Sequence, residues 1–313
     1  MELGARIFIA GVDSMIGASI LRNLECEGYS DITGTVDQPD LTNAAEVREF
    51  FRCERPECVF FVAGKSGGIV ANIKSPATLM LDNLVTTCNV IDNAYRYGAK
   101  RLLYLASSCC YPRLCPQPMS TESLMKGQLE ATNEAYATAK LAGIKLCQAY
   151  HDQYGVDYMS AIPASAYGPG DDFGLEDSHV IAALIRKMHE AKTLGASSVE
   201  IWGSGSPRRE FIFVDDLARA CVFTMSHYEA GAPINLGVGW DLSIRELAEL
   251  IRDVVGYEGV LTFDTSKTDG VAQKLLDSSV LAAMGWVPQT SLWSGLEATY
   301  AWYLQTIRDL SHG

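Results

Sequence analysis

Positive charge, histidine, paired cysteines and long apolar runs are all scarce in this sequence, and each scarcity excludes something. Lys and Arg number 25 against 38 Asp and Glu, a formal net charge of −13 over 313 residues. Nucleic acid is therefore not an expected partner, because phosphate backbones need a basic face. A small anionic ligand is still allowed, since a few local cations suffice for it. The nine cysteines are odd in number, scattered, and nowhere spaced C-x-x-C. That spacing argues against a disulfide framework or a zinc site and for reduced thiols in a cytoplasm. No apolar stretch reaches membrane length, and no basic segment precedes the first apolar run, so neither a membrane nor an export route is expected. Repeats, low-complexity tracts and flexible linkers are missing too. What is there is ordinary globular material, 48% hydrophobic and 20% charged, enough for one large core or two modest ones.

Short apolar runs alternate with helical patterns through the first half. Residues 6–10 read as a buried strand, followed by a glycine turn and a helix over 16–27. Residues 31–36 and 58–63 read as further strands with a helix over 44–51 between them. A long helix is expected over 78–97, a strand over 101–106, a helix over 133–154 and a strand over 158–163. This rhythm predicts the α/β class, a doubly wound parallel sheet covered on both faces. After Pro163 the rhythm changes. Tyr167-Gly168-Pro169-Gly170 is a turn, and helices over 178–191 and 243–255 mix with isolated strands. We therefore expect a dinucleotide-binding domain over 1–165. A smaller substrate-binding α/β domain should follow over 166–313, with a segment near 211–240 returning to the first. A ligand would lie in the cleft outside the carboxyl ends of the parallel strands.

Gly11-Val12-Asp13-Ser14-Met15-Ile16-Gly17 follows the first strand and opens the first helix. A turn so placed presents backbone N–H groups and a helix N-terminus to a pyrophosphate. Asp37, 20 residues past Gly17, ends the second expected strand, where a carboxylate would accept hydrogen bonds from ribose hydroxyls. A 2′-phosphate there would need a cation, and before Arg48 the sequence offers only Arg6 and Arg22. Asp13, in the turn itself, would repel it. The residues thus favour NAD(H) over NADP(H). Tyr136 and Lys140 stand one helical turn apart, a phenol beside an ammonium. Such a pair transfers protons near neutral pH, and the ammonium should lower the phenol's pKa. With 14 Tyr in the chain, about half a Tyr-x-x-x-Lys match is expected by chance, so the pair gains meaning only from its surroundings. Ser107-Ser108-Cys109, at the end of the strand over 101–106, supplies them.

Several longer segments carry a resemblance. They are Lys65 through Asn72, Ser107-Ser108-Cys109-Cys110-Tyr111-Pro112, Asn133 through Lys140, and Ser178-His179-Val180-Ile181. Trp202-Gly203-Ser204-Gly205, Arg209 through Asp216, Lys267-Thr268-Asp269-Gly270 and Lys274-Leu275-Leu276-Asp277 continue it. In these the chain resembles the GDP-L-fucose synthase family of the extended short-chain dehydrogenase/reductases, over essentially its whole length. The resemblance implies an epimerase/reductase of a GDP-4-keto-6-deoxy sugar, cytoplasmic and homodimeric, with helices 78–97 and 133–154 packing across the two-fold axis. It implies hydride chemistry at sugar C4 by Ser107, Tyr136 and Lys140, and epimerisation by Cys109 and His179. Cations such as Lys140 or the histidine would favour the Cys109 thiolate. Gly11, Ser14, Met15, Ile16, Gly17, Asp37, Ala63, Asn83, Lys140 and Pro163 would face the cofactor. Ser108, Ser165, Val180, Lys187, Trp202, Arg209 and Lys274 would face the GDP-sugar. No metal is implied. The chain departs from the family at Asp13 and Ser14, where a basic residue and glycine are usual, and at Ser165, where asparagine is. Lys187 and Gln273 stand where arginines are usual. The family typically uses NADPH, against the reading of Asp13 and Asp37. Alternatives share the site. One is a C4-reductase, an epimerase or a C4-dehydrogenase of a dideoxy or heptose nucleotide sugar; the other is a non-catalytic NAD-binding sensor or scaffold.

Overall fold

The computed structural model describes residues 1–312 except 36–37, 175–177, 230 and 268, and except the side chains of residues 69 and 310–312. In its first half, β1 (Ile7–Ala10), α1 (Met15–Cys26), β2 (Ile32–Thr33), α2 (Ala44–Glu54) and β3 (Cys58–Phe61) come in order. After them come α3 (Ile69–Lys74), α4 (Pro76–Arg96), β4 (Arg101–Leu105), α5 (Glu134–Tyr154) and β5 (Asp157–Pro163). The expected elements are present, with local differences. Of the strand expected over 31–36, Ile32 and Thr33 pair with β1 and Asp31 O accepts from Ile7 N at 2.8 Å, while residue 36 lies outside the described residues. The helix over 78–97 starts at Pro76, whose ring suits a first helical position, and the unanticipated α3 precedes it.

The second half begins with β6 (Ser165–Tyr167), α6 (Val180–Leu194), β7 (Ser198–Trp202), β8 (Arg208–Arg209) and β9 (Phe211–Phe213). Then follow α7 (Val214–His227), β10 (Ile234–Leu236), β11 (Leu242–Ser243), α8 (Ile244–Val255) and β12 (Val260–Asp264). β13 (Gln273–Lys274), α9 (Ser279–Ala283) and α10 (Leu292–His312) complete the chain. β7 pairs with β12, β6 with β9, and β8 with both β11 and β13.

One six-stranded sheet, all parallel, runs β10-β5-β4-β3-β1-β2. Its central strands are buried on both faces, as Ile7-Phe8-Ile9-Ala10 and Leu102-Leu103-Tyr104-Leu105 require. The sixth strand comes from the second half, where β10 aligns Ile234 with Ala161 of β5. α7 returns with it and packs on α1, tied by Asp215 to Ser19 and Arg22. Around this sheet one hydrophobic core gathers; a second forms from α6, α8, β7 and α10, with Leu247, Ile251, Ile185 and Leu296 fully buried. The order in which successive strands are added reverses between β1 and β3, which opens a crevice at their carboxyl ends.

Candidate active site

At that crevice the glycine turn is compact. Gly11 sits at φ +100°, and a Cβ there would meet the backbone of Ala63 at 2.7 Å, so only glycine lets the ends of β1 and β3 come this close. Gly17 is as constrained, since a side chain on it would overlap the carbonyl of Gly11. Ser14, standing where the middle glycine of such turns is usual, caps α1. Its hydroxyl donates to Gly11 O at 2.7 Å and accepts from Gly17 N at 3.0 Å. The N–H groups of Met15 and Ile16 take no partner among the described residues. A 12-residue helix whose first turn offers free N–H groups fits a pyrophosphate. Asp13 is exposed, and Asp37 lies outside the described residues. Pro163 ends β5, registered with Leu236.

Ser107 and Cys109 follow β4 because the chain there makes one tight turn. The Ser107 hydroxyl accepts from Cys109 N at 3.2 Å, capping it. Ser108 lies between them, half-buried. Tyr136 hydrogen-bonds with the Ser107 side chain, so β4 and α5 meet there. Burial pushes the Tyr136 phenol well above its ordinary pKa, and the Ser107 hydrogen bond works against it. The lowering expected from Lys140 is not what this geometry produces. Lys140 is buried, its ammonium donates to Leu105 O at 3.3 Å and lies 5.1 Å from the centre of the Tyr104 ring. Burial pulls its pKa down to about 8, opposed by Cys110. Asn83, also buried, donates to Leu79 O and Lys65 O, at 2.7 and 2.9 Å. Its carboxamide and the Lys140 ammonium flank Gly64, whose φ of +146° leaves room for neither to be displaced by a side chain.

Cys109 is partly exposed and receives two donors from distant parts of the chain. Asn133, just before α5, gives its amide N–H at 3.1 Å, and Lys274 its ammonium at 3.9 Å. The cation at this sulfur is thus Lys274, while Lys140 turns inward to Leu105. Lys274 is brought there by β13, which registers it against Arg209 of β8. Arg209 is largely buried, which pulls its pKa down, while Cys109 and Asp269 favour its charge. Glu210 holds this corner together. It is 2% exposed, and its two oxygens accept from Val238, Gly239 and Leu276 N at 2.6, 2.8 and 2.8 Å.

Further out, Trp202 is 60% exposed, flanked by the ammonium groups of Lys187 at 5.5 Å and Lys267 at 5.6 Å from its ring centre. Ser165 is exposed on β6, its N–H donating to Glu210 O at 3.2 Å. His179 is exposed and outside this hydrogen-bonded cluster. It sits in the cap position of α6, before Val180, yet its ring makes no capping bond. It acts on Asp171, a buried carboxyl that burial raises to about 6 and His179 partly restrains. One Asp171 oxygen accepts from Asp172 N at 2.9 Å; the other is buried without a partner among the described residues.

Most residues expected at the site therefore converge. The sequence reading missed Asn133, Asp171, Glu210 and Tyr104. None of the four carries a motif spacing of its own, although Asn133 and Glu210 fall inside segments that carry the resemblance. Among the described residues no cluster of His, Cys, Asp and Glu could hold a metal, and no helix is long and apolar enough to cross a membrane.

A parallel sheet with a phosphate-binding glycine turn at its switch point, and a Ser, Tyr and Lys set beside it, defines a short-chain oxidoreductase of the nucleotide-binding α/β class. The chain belongs to the NAD dependent epimerase/dehydratase family, which it matches over residues 7–237. It is 49% identical to GDP-L-fucose synthase 1 of Arabidopsis thaliana, over 98% of this chain and 95% of that protein. To GDP-L-fucose synthase of Escherichia coli K12 it is 46% identical, over 96% and 97%. Among solved structures it resembles the GDP-mannoheptose C4 reductase of Campylobacter jejuni with NADP bound. There the identity is 33%, the TM-score 0.89, and the coverage 97% of this chain and 99% of the other.

Proposed function

We propose that this protein is an epimerase/reductase of a GDP-4-keto-6-deoxy sugar, acting as its GDP-L-fucose synthase relatives are named to act. The observation that carries the reading is Cys109. A thiol held by an amide and an ammonium, two residues from the serine that meets Tyr136, has no use in simple reduction. Beside a 4-keto group the sugar's C3 and C5 protons are acidic, because the carbanion delocalises onto the ketone. Cys109 removes or returns a proton on one face there, and His179 serves the opposite face. Lys274 and Asn133 hold the Cys109 sulfur in place there. Nicotinamide, when bound, supplies hydride to C4. Ser107 then holds the C4 oxygen and Tyr136 gives it a proton, with Lys140 one turn behind. Trp202, Lys187, Arg209 and Lys274 take the GDP end, and the turn at Gly11–Gly17 takes the cofactor pyrophosphate.

A C4-reductase of a heptose is the second reading, favoured by the similarity to the mannoheptose reductase and by serine at 165. For the cofactor we propose NAD(H) over NADP(H), on Asp13 and Asp37; the NADP in that solved relative is the opposing observation. We also propose the division into 1–165 and 166–313, a cytoplasmic location, and a homodimer through α4 and α5.

Incubating the protein with GDP-4-keto-6-deoxymannose in D2O, with NADH or NADPH, and following products by NMR tests the reading. Turnover with deuterium at C3 and C5 is expected, with Cys109→Ser losing the deuterium. No turnover with either cofactor sinks the substrate, and a strong NADPH preference overturns the cofactor assignment.

A further inference from the structure

Lys140 is a buried cation with no ion pair among the described residues. It is 5% exposed, and among the described residues no carboxylate lies within ion-pair distance of it. Such a charge normally neutralises unless something compensates it. The groups that face it can be named. From the turn after β4 comes Cys110, whose thiol burial pushes up to about 12 and so keeps neutral. From α4, across Gly64, comes the uncharged Asn83, while Tyr136 stands one helical turn before Lys140 on α5. From β4 come Leu105 O, at 3.3 Å, and the Tyr104 ring, with the ammonium 5.1 Å from its centre.

That ring is held in place on its other sides. Tyr104 is completely buried, packs against Phe61 with ring centres 5.2 Å apart, and fills a notch in α5 at Gly143. A side chain at Gly143 would overlap the phenol end of Tyr104. Gly143 lies three residues after Lys140, so the helix that presents the lysine also carries the notch that seats the ring. The face of an aromatic ring is negative and attracts an ammonium within about 6 Å, most strongly where water is excluded. We propose that Tyr104 is a positioning residue whose ring face replaces a counter-ion for Lys140 and fixes the ammonium behind Tyr136. The use made of that ammonium rests on the function proposed above; the interaction itself does not.

The test grades the ring's negative face without changing its size. Tyr104 is replaced by Phe, then by phenylalanines bearing one, two and three ring fluorines. Lys140 is titrated in the cofactor-free protein by NMR of 13Cε-labelled lysine, its signal identified through Lys140→Arg. We expect Tyr104→Phe to titrate close to the parent and the midpoint to fall stepwise with fluorination, by about one pH unit in all. The dissociation constant for the reduced cofactor should rise in the same order. A flat series would show that the ring only fills space, and a fall already complete at Phe would place the effect in the hydroxyl. Either result overturns the proposal. No nucleotide sugar enters the measurement, so failure here and failure of the substrate assignment are separate outcomes.

Discussion

Asp171 should make the protein lose stability as pH rises, and Asp171→Asn should remove that loss. The carboxyl follows the turn at Gly168, is 8% exposed, and has one oxygen buried without a partner among the described residues. Burial raises its pKa from 3.8 to about 6, with His179 and Asp172 N–H pulling the other way. The folded protein therefore binds this proton more tightly than the unfolded chain. Stability from the group is fully present below pH 3.8 and is lost as pH climbs through 6. A shift of about two pH units is worth about 3 kcal/mol in total, at about 1.4 kcal/mol per unit. Roughly half of it falls between pH 5 and 8. Asparagine does not titrate. Any fixed gain or loss from its amide is the same at every pH, so the pH dependence alone carries the signal. Urea unfolding of both proteins at pH 5, 6, 7 and 8 measures it. The parent should lose about 1.4 kcal/mol relative to Asp171→Asn across that range. Parallel curves, or a parent that gains on the variant with pH, would refute the reasoning. If the loss is observed, Asp171 is a residue retained at a cost in stability, as functional sites allow.

Gly17→Ala forces a methyl into the Gly11 carbonyl, so α1 must shift; about 1–3 kcal/mol of stability and at least about tenfold in cofactor affinity should go. Unchanged binding by fluorescence titration would mean that the turn is not the cofactor cradle. Glu210→Gln leaves one of three buried N–H groups facing a donor, for a loss of about 1.5–3 kcal/mol seen as a lower Tm. The substrate's KM should rise more than the cofactor's, since Leu276 lies two residues beyond Lys274; equal changes would argue against that link. Tyr136→Phe should cut reduction by about 10²- to 10⁴-fold while leaving deuterium exchange at C3 and C5 in place. Exchange lost together with reduction would mean that the two chemistries are not separable in this way.

The parallel sheet was legible because β1, β3 and β4 at its centre are mainly apolar runs of four or five residues between helical patterns, a signal that needs no tertiary context. The strand over 31–36 overreached at Gly34 and Thr35, which lie outside the ladder with β1, while residue 36 falls outside the described residues. Ser107, Tyr136 and Lys140 were readable as a set through spacing and strand-end position. Lys140's environment was not. Proximity along a helix suggested that it acts on the phenol, whereas the fold turns its ammonium toward β4. Lys274 was named from a resemblance, but its place at Cys109, across 165 residues, depends on the pairing of β13 with β8, two strands of two residues each. Pairing that short leaves no periodic trace in a sequence. Asp171 and Glu210 are single polar residues whose importance comes from being buried, and Asn133 matters through a contact with Cys109 24 residues away; both are properties of the whole fold.

The position of β10 has a consequence for how the chain is made. The nucleotide half appears early, yet its sheet lacks its last strand until Leu236 has been synthesised, more than 70 residues after β5. During that interval β5 presents a hydrophobic row of unpaired N–H and C=O groups, the kind of edge that recruits other strands. A chain cut after residue 165 would keep that edge for good and should aggregate rather than bind nucleotide. The sheet that frames the nucleotide crevice is therefore completed only by a strand from far along the chain, so its early segments do not make a finished fold by themselves.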